Sequence, residues 1–247
     1  MTTASVVHRE HDRGVAVLTL DSPENRNALS SRLVGELSAA LDDARSDPGT
    51  RAVLLTHTGG TFCAGADLRE GGGPAKGTAL LVELLRAIAE SPKPVIAEVR
   101  GHARAGGLGL VAACDIAVAG PDATFAFTEA RLGLAPAVIS MPVLARTDPR
   151  AVSRYFLTGE TFGPDEAVRI GLVTAREDAL EPVLRGLRAS SPQGLAESKA
   201  LTAAPLRTAL ADRGAELSEV SARLFSSDEA AEGMRAFLER RKPSWAS

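Results

Sequence analysis

The hydrophobic residues in the first half of the chain include several short, continuous runs. Gly14–Leu20, Arg51–Thr56 and Pro94–Val99 consist largely of β-branched and other apolar residues. Runs of this length and composition are typical of buried strands rather than helices. We therefore expect strands at these three places, and further short strands at Asp115–Ala119 and Thr124–Phe127.

Other apolar positions repeat at the spacing of a helix. Ser30 is a suitable N-cap for the first such pattern, and Leu80–Leu85 with Ile88 forms a second. After about residue 137 the pattern is mainly helical, and Pro164 is expected at the first position of a helix. Strands that alternate with helices, followed by a helical tail, predict an α/β fold. The apolar face behind Ser30 consists of Leu33, Val34, Leu37 and Leu41.

No linker convincingly divides the chain of 247 residues. The most flexible candidate is the glycine-rich segment 71–77, which lies inside the core region. We interpret this segment as a mobile surface loop, or alternatively as a flap that admits a ligand to a pocket.

The composition excludes several classes of protein. Hydrophobic residues make up 45% of the chain and charged residues 24%, which argues against global disorder. The formal net charge of −3 gives no reason to expect nucleic acid or an anionic membrane as a partner. The N-terminus has no apolar signal core, and no apolar run could span a membrane, so we expect a cytoplasmic protein.

Common catalytic motifs are also missing from the sequence. Cys63 and Cys114 do not form a disulfide framework, and neither the cysteines nor the four histidines have metal-ligand spacing. The glycine clusters lack the Gly-Lys-Ser/Thr ending of a phosphate-binding loop, and no serine lies in a Gly-x-Ser-x-Gly elbow. We therefore expect no metal site and no ordinary serine hydrolase.

Two stretches of small residues point to a different chemistry. Phe62–Leu68 and Gly101–Leu110 each place small residues where a strand gives way to a helix. Backbone N–H groups from two such turns can converge on one oxygen and hold it as an oxyanion. Small residues are needed because a larger side chain would keep the ligand away from the backbone.

These two stretches and several later motifs resemble the crotonase superfamily, that is, enoyl-CoA hydratases and isomerases. The similarity extends from about residue 7 to residue 243, nearly the whole chain. It implies a spiral of strand–strand–helix units, with residues 1–190 as an acyl-CoA-binding core. Residues 191–247 would form a helical trimerisation region of the same fold, and the protein would assemble as a homotrimer or a dimer of trimers. The later motifs are Ala113-Cys114-Asp115, Phe127–Glu129, Leu132–Leu134, Leu157–Glu160, Gly171–Val173 and Glu232–Pro243.

The resemblance also implies which residues perform the reaction. The backbone N–H groups of Ala66 and Gly106 would hold the thioester oxygen as it becomes an enolate. Glu129 matches one of the family's two glutamates and would transfer the proton. Facing an apolar pocket, its carboxyl should have a raised pKa. The alternative for Glu129 is a surface ion pair with Arg131.

Coenzyme A, as part of the substrate rather than a separate cofactor, would be held mainly by backbone groups. Arg26 matches a basic position near the family's CoA entrance, and a guanidinium suits phosphate. Gly107 begins a helix whose positive end would point at the thioester oxygen. By the same resemblance, the remaining substrate-binding positions are Ala28, Ala64, Asp67, Leu68 and Pro136.

The sequence departs from the family's pattern at Gly109. Hydratases of the family typically carry their second glutamate at this position, three residues after the oxyanion glycine. Three outcomes remain open: Glu129 alone supports hydration of a 2-enoyl-CoA, or it shuttles a proton in a Δ3,Δ2-enoyl-CoA isomerase, or the chain binds acyl-CoA without turnover. Of these we expect an enoyl-CoA hydratase, a lyase, first.

Three further residues bear on the substrate. Val138 and Ile139 are bulkier than the glycine-rich loop that is frequent at this place in the family, so they should narrow or reshape the acyl pocket. Arg104 lies where the family often has an apolar residue. It would pair with a local carboxylate or recognise a polar acyl substituent.

Overall fold

The computed structural model describes residues 4–70 and 74–246 of the chain. Nine strands are assigned within these residues, and they are β1 Val7–Asp12, β2 Val15–Leu20, β3 Ala52–His57, β4 Thr61–Cys63, β5 Val95–Val99, β6 His102–Arg104, β7 Ile116–Ala119, β8 Thr124–Ala126 and β9 Ala175–Arg176. Ten α-helices are assigned in the same part of the chain, and they are α1 Ser31–Ser46, α2 Pro74–Glu90, α3 Gly106–Ala113, α4 Ser140–Arg146, α5 Pro149–Thr158, α6 Pro164–Arg169, α7 Leu180–Ala189, α8 Pro192–Thr202, α9 Ala204–Phe225 and α10 Asp228–Leu238.

The strands form a larger and a smaller sheet. The larger sheet has the order β1-β2-β3-β5-β7-β9, in which β1 is antiparallel to β2 and the later neighbours are parallel. The smaller sheet has the order β4-β6-β8 and is parallel. Every residue of β3 is buried, as expected for a parallel strand covered on both faces.

Successive units of the chain contribute one strand to each sheet. β3 joins the larger sheet and β4 the smaller one before α2 follows, and β5, β6 and α3 repeat this order. β7 and β8 again divide between the two sheets. The α/β fold and its strand–strand–helix units are therefore confirmed, as are the five strands predicted from the apolar runs.

Helix α3 is buried along its whole length. All of its residues, Gly106–Ala113, are buried, and it is apolar on every side. A helix that is hydrophobic all round is stable only inside a core. Its first residue therefore presents its N–H inside the protein, at the end of β6.

Local capping explains where several helices begin. The Ser30 hydroxyl accepts a hydrogen bond from the N–H of Leu33 at the start of α1, as its sequence predicted. Pro164 is the first residue of α6, which confirms the prediction for this position. Residues 71–73 of the predicted loop or flap lie outside the described residues. The prediction is wrong for residues 74–77, because α2 begins at Pro74.

The C-terminal helices are joined to the core by a buried ion pair. Lys199 on α8 places its Nζ 2.7 Å from Asp115 Oδ2, and the same ammonium donates to the carbonyl oxygens of Ile88 and Lys93. Asp115 also accepts the N–H of Val95 at 2.8 Å. The aspartate of the Ala113-Cys114-Asp115 motif thus fixes the C-terminal region to the sheet.

Candidate functional site

The first of two turns that form the candidate site follows β4 and spans residues 63–67. Gly65 has φ +88°, a conformation that favours glycine. The segment 26–29 runs alongside this first turn, because the N–H of Leu29 donates to Gly65 O at 2.8 Å and the N–H of Ala64 to Arg26 O at 3.1 Å. These bonds fix the direction of the backbone at Ala66, which is exposed.

The second turn, residues 104–107, joins β6 to α3. Ala105 has φ 46° and ψ −119°, an unusual conformation for a residue with a side chain. Its N–H donates to Ala126 O on β8 at 3.2 Å, and its carbonyl accepts from Leu108 at 2.9 Å. The reversal at Ala105 leaves Gly106 as the first residue of α3.

The two turns are in direct contact. A Cβ placed on Gly65 would lie 2.9 Å from the Cβ of Ala105 and 3.3 Å from the nitrogen of Gly106. A Cβ on Gly107 would lie 2.6 Å from Cys63 O. Only glycine at Gly65 and Gly107 allows this approach, so the structure brings the two sequence-predicted turns together.

The backbone N–H groups predicted to hold an oxyanion belong to Ala66 and Gly106. Among the backbone hydrogen bonds of the described residues, neither N–H is a donor. The first N–H groups of a helix have no intrahelical acceptor, and the helix dipole makes this end positive. The pair of turns can therefore accommodate a negatively polarised oxygen without a charged side chain.

Glu129 begins a short 3-10 turn, Glu129–Leu132, which we call the Glu129 turn. The carboxyl is buried, and its Oε2 atom has no hydrogen-bond partner in the described structure. Burial raises the pKa of Glu129 to about 7, against a small opposing effect of its own backbone N–H. No charged group contributes to this shift. Glu129 therefore has the properties of a carboxyl that exchanges a proton near neutrality.

Aromatic packing holds the strand that leads to Glu129. The Phe127 ring is fully buried and contacts Phe156 edge-on, with 4.7 Å between ring centroids. The centroid of the Phe162 ring lies 6.2 Å from that of Phe127. This packing fixes the backbone that leads into the Glu129 turn, while the raised pKa of Glu129 follows from the burial of its carboxyl.

The alternative ion pair between Glu129 and Arg131 is wrong. Arg131 is exposed and points away from the carboxyl, because its Nε donates to Thr158 O at 2.9 Å. The adjacent residue Gly159 leaves room for the guanidinium, since a Cβ there would lie 2.8 Å from Arg131 Nε.

A neighbouring side chain fills the space beside Gly109, the residue that leaves the site without a second carboxylate. A Cβ on Gly109 would lie 2.5 Å from Cγ2 of Ile139 and 3.0 Å from its Cβ. Ile139 is buried. The bulky Ile139 side chain in segment 136–140 therefore points at α3. It occupies the space into which any side chain at position 109 would extend.

Arg104 and its neighbours have neutral partners. The Arg104 guanidinium donates to the carbonyls of Ala103 and Thr124 and to the Thr124 hydroxyl. Burial lowers its pKa. The predicted pairing of Arg104 with a local carboxylate is therefore wrong among the described residues, because the three-stranded sheet supplies oxygen acceptors of its own. His102 shares the same Thr124 hydroxyl at 2.8 Å.

The residues predicted to bind coenzyme A lie around the first turn. Arg26 is exposed with φ 61°, and the buried Ala28 uses its N–H on Asn25 Oδ1 at 3.3 Å. Asp67 accepts the side-chain amide of Asn25 at 3.2 Å and the N–H of Arg69 at 3.0 Å. Asn25 thus joins the two segments, a role that the sequence did not indicate. Ala64, Leu68 and Pro136 are half-buried.

The thiols of Cys63 and Cys114 are both buried. Burial raises the pKa of both Cys63 and Cys114 to about 12, so neither is a ready thiolate near neutrality. No group of three or more potential metal ligands is found among the residues 4–70 and 74–246. In the same ranges, no helix has the length and apolar character needed to cross a lipid bilayer.

The sequence did not indicate the contacts that glycines make with residues far away in the chain. Gly65 was not singled out, although its positive φ allows the two turns to meet. The contact between Gly109 and Ile139 was also missed, because their separation along the chain hides it. The Gly65-Ala66 dipeptide was the one local sign in the sequence that the first turn could approach the second.

The chain is similar in sequence and fold to known enoyl-CoA hydratases. The family model described as Enoyl-CoA hydratase/isomerase matches residues 10–247. A solved enoyl-CoA hydratase from Mycobacterium avium is 49% identical, with a TM-score of 0.91, and the match covers 99% of this chain and 100% of that one. A second solved enoyl-CoA hydratase, from Mycobacterium smegmatis, is 33% identical with a TM-score of 0.77, covering 98% and 99% of the two chains. A Bacillus subtilis protein named "Probable enoyl-CoA hydratase" is 36% identical over 95% of this chain and 96% of its own length.

The fold and the family match define an enzyme of the crotonase type. The chain belongs to the enoyl-CoA hydratase/isomerase family.

Proposed function

We propose that the protein acts on an enoyl-CoA thioester, with Glu129 as its only acid–base carboxylate and the N–H groups of Ala66 and Gly106 as its oxyanion hole. The observation that carries this proposal is the buried carboxyl of Glu129, one oxygen of which has no hydrogen-bond partner among the described residues. A carboxyl with a pKa near neutrality can both take and return a proton during one turnover. No separate cofactor is needed.

The geometry supports movement of a double bond best, which is Δ3,Δ2-enoyl-CoA isomerisation. The Glu129 carboxylate removes a proton from C2 of a 3-enoyl thioester, and the C–H electron pair forms a dienolate whose charge lies on the thioester oxygen. The protonated Glu129 then returns the proton to C4, which leaves the double bond between C2 and C3. This sequence needs one carboxylate and no water.

Preorganised donors at the thioester oxygen would lower the barrier to the dienolate. Removal of one such donor in other enzymes costs about 3–4 kcal/mol, or roughly 10²–10³ in rate. The start of α3 adds the positive end of a helix dipole at Gly106. These groups stabilise the charge that develops in the transition state rather than the neutral substrate.

Hydration of a 2-enoyl-CoA is the second candidate, favoured by the names of the relatives. In this reaction Glu129 removes a proton from water as the oxygen attacks C3, and then gives that proton to C2 of the enolate. One carboxylate must serve both steps, because Gly109 has no side chain and Ile139 fills the adjacent space.

Incubation of the purified protein with two substrates separates the candidates. Appearance of conjugated-thioester absorbance from a 3-hexenoyl-CoA supports isomerisation, and loss of that absorbance from crotonyl-CoA supports hydration. Binding of both compounds without any change of absorbance would contradict both reactions and leave an acyl-CoA-binding protein. We also expect a homotrimer or a dimer of trimers, which sedimentation velocity measures.

A further inference from the structure

The C-terminal helix α10 packs on the Glu129 turn at the level of the backbone. A Cβ on Gly233 of α10 would lie 2.5 Å from the carbonyl oxygen of Leu132 and 2.6 Å from its carbon. From the other side, a Cβ on Gly133 would lie 2.6 Å from the carbonyl carbon of Glu229 and 2.8 Å from the nitrogen of Ala230. The two backbones therefore touch at two glycines, with no side chain between them.

One residue of this contact, Gly133, is hydrogen-bonded to the backbone of Glu129. The carbonyl of Glu129 accepts the N–H of Gly133, which closes the turn, and the N–H of Leu134 at 3.0 Å. Gly133 has φ +72°, so it adopts a left-handed conformation at the end of the turn. Displacement of Leu132 or Gly133 would therefore move the backbone from which the Glu129 carboxyl extends.

Helix α5 also holds the Glu129 turn. Arg131 donates to Thr158 O at the end of that helix. Gly159 is packed against the same guanidinium. The turn thus contacts both α5 and α10, and the contact with α10 is made backbone to backbone at two glycines.

From this geometry we infer that α10 positions Glu129 for proton transfer, with Gly233 and Gly133 as positioning residues. Neither glycine touches the substrate. Their contribution is to set the place of the turn to within a few tenths of an ångström, because a backbone contact cannot adjust as a flexible side chain can. This inference rests on the proposed function of Glu129 and extends it to the C-terminal helix.

The Gly233→Ala variant tests the inference directly. Its methyl group would overlap Leu132, so the turn and α10 must separate. Misplacement of a catalytic group by about 1 Å can cost about 100-fold in rate. We expect kcat to fall by about 10- to 100-fold, while KM and the affinity for the unreactive butyryl-CoA change by less than about threefold.

A matched control is Gly214→Ala in α9. Gly214 is also a buried helical glycine, but a Cβ there would meet its nearest atom, on Val82, at an ordinary 3.5 Å. We expect its kcat to remain within about twofold of the unmodified protein. An equal loss of kcat in the two variants would overturn the inference.

Combination with Glu129→Gln distinguishes positioning from general destabilisation. If α10 acts through Glu129, the double variant Gly233→Ala/Glu129→Gln loses little more activity than Glu129→Gln alone. If the two losses multiply, α10 does not act through Glu129 and the inference is wrong. Unchanged turnover of Glu129→Gln by itself would instead contradict the proposed function.

A milder pair of variants covers the case in which Gly233→Ala does not fold. The Ser227 hydroxyl caps α10 by accepting the N–H of Ala230, and Ser191 caps α8 by accepting that of Gly194. Loss of an N-cap destabilises the first turn of a helix. We expect Ser227→Ala to lower kcat by up to about fivefold at unchanged KM, and Ser191→Ala to leave it unchanged. The same kcat in both variants would contradict the inference.

Hydrogen exchange gives a readout that does not require turnover. The amides of Gly133 and Leu134 both donate to Glu129 O. We expect both to exchange faster in Ser227→Ala than in Ser191→Ala. Equal exchange rates at these two amides would show that α10 does not hold the turn.

Discussion

Cγ2 of Ile139 lies 2.5 Å from the point where a side chain on Gly109 would begin. Real Cβ atoms do not approach other heavy atoms this closely, so the two positions share one volume, and Ile139 takes it. Helix α3 can pack against residues 136–140 only because residue 109 has no side chain. It also leaves Glu129 without a second carboxylate at this position.

The shared volume predicts a coupling between the two positions in stability. Gly109→Ala should lower the free energy of unfolding by about 1–3 kcal/mol, because the added methyl overpacks against Ile139. In an Ile139→Ala background the same change should cost less, since the space is then open. Denaturant unfolding of the four proteins measures the coupling.

The control for this cycle is Gly35→Ala in α1, where a Cβ would have no neighbour within 4 Å. We expect this variant to be as stable as the unmodified protein or more stable, because alanine favours the helix by about 1 kcal/mol. Additive costs of the Gly109 and Ile139 substitutions would contradict a shared volume.

Glu129→Gln should abolish most of the turnover of whichever enoyl-CoA is the substrate. Glutamine retains the shape of the side chain but cannot accept a proton, and general acid–base catalysis contributes about 10²–10⁴ in rate. We expect kcat to fall by at least about 100-fold with little change in the affinity for butyryl-CoA. A variant with more than a tenth of the original kcat would remove Glu129 from the mechanism.

The dependence of kcat/KM on pH should follow the pKa of Glu129 in the free enzyme. The carboxylate form is required to remove a proton, and burial raises the pKa of this group to about 7. We therefore expect kcat/KM to rise with pH, by about tenfold per unit below pH 7, and to level off above it. A profile that is flat between pH 5 and 8 would show that another group removes the proton.

The stability of the protein should also depend on the ionisation of Glu129. It should fall with rising pH over the range in which kcat/KM increases. The folded protein holds the Glu129 proton up to about pH 7, while the unfolded chain releases it near the ordinary value of 4.5. Unfolding therefore releases a proton in this range, and the contribution of Glu129 to stability falls as pH rises from about 4.5 through 7.

Comparison with Glu129→Gln isolates this effect. We expect the variant to gain about 3 kcal/mol relative to the unmodified protein between pH 5 and pH 9, from a shift of about 2.5 pKa units. Chemical denaturation at several pH values measures the difference. A constant difference across this range would mean that the carboxyl is not buried in solution.

The sequence was sufficient to predict the strands and helices whose signals are local. The buried strand Ala52–His57 has an uninterrupted apolar run, and α1 has both a serine cap and an apolar face. The order of these elements along the chain predicted the repeated strand–strand–helix units, and the resemblance added their arrangement as a spiral. The two turns at Ala66 and Gly106 were predicted from their small residues, and the structure brings the turns that carry them together.

The contacts that could not be predicted connect residues far apart in the chain. Gly233 touches Leu132, and Ile139 touches Gly109, but glycines in helices give no local signal of their neighbours. The partner of Arg104 was also missed, because carbonyl oxygens from a neighbouring strand do not show in the sequence. A charged residue in an unusual place suggested a charged partner, and the sheet supplied neutral ones instead.

The most direct measurement is a crystal structure of the protein with bound butyryl-CoA, a saturated thioester that cannot react. We predict that the thioester oxygen lies 2.7–3.1 Å from the nitrogens of both Ala66 and Gly106, the range for oxyanion donors. The α carbon of the acyl group should then face the carboxyl of Glu129. A thioester oxygen bound away from these two amides, or an acyl chain directed away from Glu129, would contradict the proposed site.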